Sequence, residues 1–156
     1  MTTEASQNNS NYCLISPAIP EITLPKYSPL KLGILASGNG SNFEAIASAI
    51  NNQKLNAKIQ VMISNHSEAK VIFRAKKWGV PSVLLNHREY KNREKFDSKI
   101  VKTLQEYDVE WVIMAGWMRI ATKVLIDAFP HQIINIHPSL LPVSYTHLTL
   151  PTTFGV

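Results

Sequence analysis

The sequence predicts an α/β domain built on a mostly parallel, twisted sheet flanked by helices. Three observations carry that expectation. Short apolar runs alternate with amphipathic stretches of helical period from Lys31 onward. Glycine and proline punctuate the boundaries. The loops that follow the first, fourth and fifth apolar runs hold the residues best suited to chemistry, as ligand loops do at the carboxyl ends of parallel strands.

The first strand is Leu32–Ala36, an apolar run that ends in a glycine-rich loop. Asn42 to Ile50 follows as a helix, with Phe43, Ala47 and Ile50 on one face. Ile59 to Ser64 forms the second strand. A helix over Ala69 to Trp78 ends before Gly79 and Pro81. Ser82 to Leu85 makes a short third strand. Asn92 caps a helix that reaches about Tyr107 and aligns Phe96, Ile100 and Leu104. Trp111 to Met114 is the fourth strand, Lys123 to Phe129 a short helix, and Ile133 to Ile136 the fifth strand. Crossovers between parallel strands are expected to be right-handed. Three segments divide the chain: a disordered extension over residues 1–30, the domain over 31–142, and an atypical tail over 143–156. The extension is rich in Ser, Asn, Thr and Pro, and its charges are Glu4, Glu21 and Lys26. The tail has no charged side chain and four threonines, at 146, 149, 152 and 153.

Composition excludes several classes. Hydrophobic residues are 45% and charged residues 17%, which suits a globular domain rather than a disordered chain. No apolar run approaches the roughly 18 residues a spanning helix requires. The start has no basic and apolar secretory pattern, so no membrane association and a cytoplasmic location are the expectations. One cysteine, Cys13, cannot close an internal disulfide. No Cys/His cluster has zinc-ligand spacing, so no metal is expected. The net charge of +5 favours phosphate-bearing ligands or reflects an ordinary solvated surface. No basic run suits a nucleic-acid arm, so no nucleic-acid partner is expected.

Four places carry candidate chemistry. In Ser37-Gly-Asn-Gly-Ser-Asn42 the glycines allow a tight turn, and the N–H groups of Gly40, Ser41 and Asn42 at a helix start suit a phosphate. The competing reading is a plain strand–helix turn capped by Ser41 or Asn42. The loop lacks the third glycine of a dinucleotide fingerprint. In Asn135-Ile-His-Pro-Ser-Leu-Leu-Pro142, Asn135 and His137 lie two apart at a strand end and project to one side. An amide can donate to an oxyanion, and an imidazole can move a proton near neutral pH. A strand-end histidine bonded to backbone is the alternative. Ala115-Gly-Trp-Met-Arg-Ile120 could wall a pocket for a flat ring, or be ordinary core. Arg93 opens a helix, where a cation is poorly matched to the dipole, which points to a ligand, to an acid such as Asp97, or to simple exposure. His66, His87, His131 and His147 read as structural or surface residues.

Taken together, Leu35-Ala-Ser-Gly-Asn-Gly-Ser-Asn42, Gly116-Trp-Met-Arg-Ile120 and Asn135-Ile-His-Pro-Ser-Leu-Leu-Pro142 resemble the phosphoribosylglycinamide formyltransferase family in order and spacing, over about residues 31–142. The resemblance implies a Rossmann-like formyltransferase fold, incomplete at the C-terminus. It implies formyl transfer from 10-formyltetrahydrofolate, as co-substrate, to the amine of glycinamide ribonucleotide in purine biosynthesis. By that resemblance Gly40, Ser41 and Asn42 hold the nucleotide phosphate. Asn135 holds the tetrahedral oxyanion and His137 is the general acid. Arg93 and the segment Met118, Arg119, Ile120 and Ala121 contact folate, together with Asn135; the family usually has leucine where Ala121 stands. The family's catalytic aspartate lies well beyond the histidine, and no acidic residue follows His137 here. An inactive nucleotide-binding fragment is therefore the alternative for the chain as it stands. Methionyl-tRNA formyltransferase and formyltetrahydrofolate deformylase share the Asn-x-His and Ser-Leu-Leu-Pro features, but the phosphate loop favours a small phosphorylated substrate. The tail from Val143 resembles translated sequencing-adapter sequence. The oligomeric state has no signal in the sequence.

Overall fold

The structure is a computed structural model and describes residues 28–136. Among the described residues, five strands form one sheet: β1 Leu30–Leu35, β2 Ala57–Ser64, β3 Ser82–Leu84, β4 Trp111–Ala115 and β5 Ile133–Ile136. Their order across the sheet is β3-β2-β1-β4-β5, and every pairing is parallel. The helices are α1 Ser41–Asn51, α2 Lys70–Lys77, α3 Arg93–Glu106 and α4 Lys123–Ala128, with a 3-10 turn at His87–Glu89. The α/β expectation therefore holds, and every expected strand and helix is present. The expectations for residues 1–27, for His137 and for the tail over 143–156 lie outside the described residues.

Alternating side chains send each strand's apolar residues to two cores. On one side Ile34, Met62 and Ile113 pack with Phe43 and Ala47 of α1 and Val71 and Ala75 of α2. On the other, Leu35, Ile63 and Val112 pack with Phe96, Ile100 and Leu104 of α3 and Leu125 of α4. Strands buried on both faces read as continuous apolar runs, as β1 and β4 do. β1 starts at Leu30, two residues before the apolar run suggests, because Leu30 N–H bonds Asn56 O at 3.1 Å and the strand pairs from Ala57 onward. The register slips between Leu32 and Gly33, so Gln60 is passed over and Ile59 and Val61 face opposite cores.

Helix ends follow local chemistry. Asn92 caps α3 as expected, its side chain accepting from Lys95 N–H at 2.9 Å. The N-cap of α1 is Gly40, with no side-chain cap, so neither Ser41 nor Asn42 has that role. Across β1, β4 and β5, beside α1, an apolar cleft of about 330 Å3 is lined by residues including Leu32, Ile46, Trp111, Ile113, Ile134 and Ile136. Ile134 is 47% exposed there. Among the described residues no helix is long and apolar enough to cross a membrane.

The chain runs outward from β1 to β2 and β3, then returns to lay β4 on the other flank of β1. The strand order thus reverses between β1 and β4. In open parallel sheets, ligands bind in the crevice outside the carboxyl ends of the strands at that point.

Candidate functional site

Two loops meet at the reversal. The first, Ala36–Gly40, joins β1 to α1. Gly40 holds φ +77°, and a Cβ there would lie 2.6 Å from Val71 Cγ2 and 3.0 Å from Val71 Cα. Only glycine suits both the left-handed backbone and the close approach of α2. The α2 side also ties the loop down: Val71 N–H donates to Gly38 O at 3.2 Å, and Arg74 Nε to Asn39 O at 2.8 Å. Arg74 in turn pairs with Glu44 of α1 at 2.9 Å. Hydrogen bonds from Arg74 and then Trp78 hold the Glu44 carboxyl below the usual carboxylate range.

With the loop carbonyls engaged, the amides are left over. Glu44 N–H makes the first bond of α1, to Gly40 O at 2.9 Å. The N–H groups of Gly40, Ser41 and Asn42 donate to no described residue. Three free donors at a helix start form an anion cradle. Gly38 and Asn39 line an open cleft of about 450 Å3 with Lys70 and Glu68. Lys70 and Glu68 bring opposite charges to that cleft, and a lone Lys at a helix start carries no sequence signal beyond surface.

The second loop, Gly116–Thr122, leaves β4 at Gly116, where φ is +77° and a Cβ would touch nothing within 4 Å. Trp117 is buried and stacks on Phe96 of α3, with rings 2° from parallel and centroids 6.2 Å apart. The Arg119 guanidinium lies 5.3 Å from the Phe96 centroid on a cation–π contact. Thr122 N–H donates to Asp97 Oδ2 at 2.6 Å. These anchors turn the other side chains outward: Met118 is 79% exposed and Ile120 73%. Exposed apolar groups on an anchored loop suit a flat apolar ligand.

A cleft of about 730 Å3 gathers Met118, Arg119, Ile120, Ala121 and Asn135. The structure thus brings together the segment from β4 and the exposed asparagine at the end of β5. Arg93 stands elsewhere, exposed at the start of α3, and pairs with no described acid. The suggested Asp97 partner is wrong: Asp97 is buried at 3% exposure and faces Thr122 N–H instead. Phe96, expected only as helix core, is the platform for Trp117 and Arg119. No pattern in α3 could have shown that, because the contact depends on the β4 loop.

The histidines read as structural include one in an unusual setting. His87 stands edge-on to His66, with centroids 5.9 Å apart, and edge-on to Phe96 at 6.3 Å. Its Nδ1 is buried without a partner among the described residues. Burial first, then Arg119, Arg88 and His66, push its pKa below the ordinary value.

Comparison with known proteins fits this arrangement. The formyl transferase profile matches residues 30–146. The chain belongs to the formyl transferase family. It is 39% identical over 112 residues to phosphoribosylglycinamide formyltransferase of Bacillus subtilis (strain 168), covering 72% of this chain and 57% of that protein. It is 37% identical over 112 residues to the human trifunctional purine biosynthetic protein adenosine-3, covering 72% of this chain and 11% of that one. A crystal structure of glycinamide ribonucleotide transformylase 1 from Symbiobacterium toebii superposes with a TM-score of 0.71 at 35% identity, over 74% of this chain and 55% of that one. The chain therefore spans a little over half the length of these single-function relatives. The Rossmann-like formyltransferase fold follows from the same likeness.

Proposed function

We propose that this chain carries the phosphate loop and folate loop of a glycinamide ribonucleotide formyltransferase of purine biosynthesis. The observation that carries the reading is the meeting of two loops at the strand reversal: an amide cradle at the start of α1, and an anchored apolar loop sharing a cleft with Asn135. The nucleotide phosphate binds the N–H groups of Gly40, Ser41 and Asn42, where the helix dipole favours negative charge. The pteridine and its formyl group bind along Met118, Arg119, Ile120 and Ala121, and Arg93 attracts the folate carboxylates as a second basic point.

In this reading the glycinamide amine attacks the formyl carbon of 10-formyltetrahydrofolate. The carbonyl oxygen becomes an oxyanion, and Asn135 donates to it. His137, two residues on, carries the proton that the amine loses to N10 as the C–N10 bond breaks. The product is formylglycinamide ribonucleotide and tetrahydrofolate. The substrates are small molecules, and the phosphate cradle favours them over tRNA. No metal enters the reading, and a cytoplasmic setting suits it.

The test has a binding arm and a turnover arm. Calorimetric titration of chain 1–156 with glycinamide ribonucleotide should show binding that Gly40→Val removes. Formyl transfer, followed by release of tetrahydrofolate, should fall by about 100-fold or more in Asn135→Ala, the loss expected of one oxyanion donor. A chain that binds glycinamide ribonucleotide and transfers nothing supports the inactive-fragment reading. A folded chain that binds neither substrate would sink the proposal.

A further inference from the structure

The two ligand loops leave different strands and share no covalent neighbour. One residue nevertheless ties them. Ser37 is buried, at 7% exposure, at the point where β1 gives way to the glycine loop. Its backbone N–H donates to Gly116 O at 3.1 Å. Its hydroxyl oxygen accepts from Met118 N–H at 3.0 Å. Residues 116 and 118 of the second loop are therefore held by Ser37, while Trp117, Arg119 and Thr122 are held by Phe96 and Asp97 of α3.

We propose that Ser37 is a positioning residue that couples the two sites, so that filling the amide cradle at Gly40–Asn42 sets the backbone of Met118 and raises affinity at the folate loop. The inference rests on the reading of the two loops above. The mechanical case is short. Val71 N–H and Arg74 Nε tie Gly38 and Asn39 to α2, so the stretch from Ser37 to Gly40 shifts as one stiff piece when an anion is drawn against Gly40–Asn42. Ser37 is the end of that piece, and its contacts beyond it are the pair of bonds to Gly116 and Met118. The Met118 amide carries the motion into the loop, because its own side chain is free. Coupling of this kind is reciprocal: a folate ligand on Met118–Ala121 must raise phosphate affinity by the same factor. Transmission through one hydroxyl acceptor sets the scale at about fivefold, the order of one net hydrogen bond.

The experiment uses uniformly 15N-labelled chain 1–156 and ribose 5-phosphate as the probe of the cradle. Amide shifts of Gly40, Ser41, Asn42 and Met118 are followed together. In the wild type, Met118 should titrate with the same midpoint as Ser41. In Ser37→Ala, the shift change at Met118 should be lost while that at Ser41 remains. Ser37→Cys keeps the side-chain shape with a modestly larger atom and weakens the acceptor, and should do the same if the alanine variant loses its spectral dispersion. Tetrahydrofolate affinity, measured with and without saturating ribose 5-phosphate, should differ about fivefold in the wild type and converge in the variants. Met118 responding in Ser37→Ala as in the wild type would overturn the coupling, as would a wild-type Met118 that stays still while Ser41 moves. Silence at Gly40, Ser41 and Asn42 would instead overturn the phosphate reading and take the coupling with it.

Discussion

Replacing Gly40 by alanine isolates how tightly the loop between β1 and α1 is built, because Gly116 supplies an internal control. Both glycines have φ +77°. An added Cβ at Gly116 meets open space, whereas at Gly40 it lies 2.6 Å from Val71 Cγ2, 2.7 Å from Val71 Cβ and 3.0 Å from Val71 Cα. Left-handed backbone costs a non-glycine residue about 1–2 kcal/mol. Overpacking adds about 1–3 kcal/mol. A rotamer change at Val71 cannot remove all of it, because part of the clash is with the α2 backbone. Gly116→Ala should therefore lose about 1–2 kcal/mol and Gly40→Ala about 2–5 kcal/mol. With a urea slope of about 2 kcal/mol/M, the midpoint falls by under about 1 M for the first and by about 1–2.5 M for the second. Urea unfolding followed by far-UV circular dichroism and tryptophan fluorescence reads both. A double-mutant cycle sharpens the test: Val71→Ala should cost less in the Gly40→Ala background than alone, since it removes the Cγ2 clash. Equal midpoints for the two single variants would refute the clash and the close α1–α2 approach it measures.

Other perturbations probe the second loop. Asp97→Ala leaves Thr122 N–H without its acceptor and should cost about 1–3 kcal/mol by urea unfolding, with faster amide exchange across residues 117–122. Phe96→Leu keeps an apolar side chain but loses the Trp117 stack and the Arg119 contact, and should cost about 1–2 kcal/mol with a red shift in tryptophan emission. His87 gives a pH dependence. Its folded pKa is depressed by burial and by Arg119, Arg88 and His66, so the unfolded chain binds the proton more readily. Its contribution to stability is therefore complete above the ordinary value of about 6.5 and is lost as pH falls through the lower folded value. Thermal melts at pH 5, 6 and 7 should show a slope that flattens in His87→Gln.

The elements were legible because each carries its own local signal. Phe43 with Ala47, and Phe96 with Ile100 and Leu104, repeat at helical spacing and are buried where that spacing puts them. Asn92 announces the start of α3 and caps it. The 3-10 turn at His87–Glu89 also has a local signal, though no apolar period marks it: Asn86 accepts from Arg88 N–H at 3.1 Å, a common use of an asparagine side chain. The skipped Gln60 had no signal, since a register slip depends on the neighbouring strand. The two-residue extension of β1 to Leu30 likewise depends on Asn56 and Ala57 across the sheet.

The site was legible in its parts and not in its joints. Glycines, an asparagine at a strand end and an apolar loop can each be recognised from their own residues. Their meeting requires β4 to lie beside β1, and nothing local to either strand encodes that adjacency. It arises because strands apolar on both faces seek the sheet centre, and β1 and β4 are each buried along most of their length. Once they are neighbours, the loops that leave them must diverge, for β1 feeds α1 on one face while the β4 loop leads to α4 on the other. Divergence opens the crevice but leaves the loops free to move apart. A small polar side chain at the root of one loop, reaching the backbone of the other, counters that. Ser37 occupies this position. A larger residue there would fill the crevice, and an apolar one would leave the Met118 N–H without its acceptor. The requirement for a short hydroxyl follows from the geometry of the reversal, which is why it could be found only after the strands were in order.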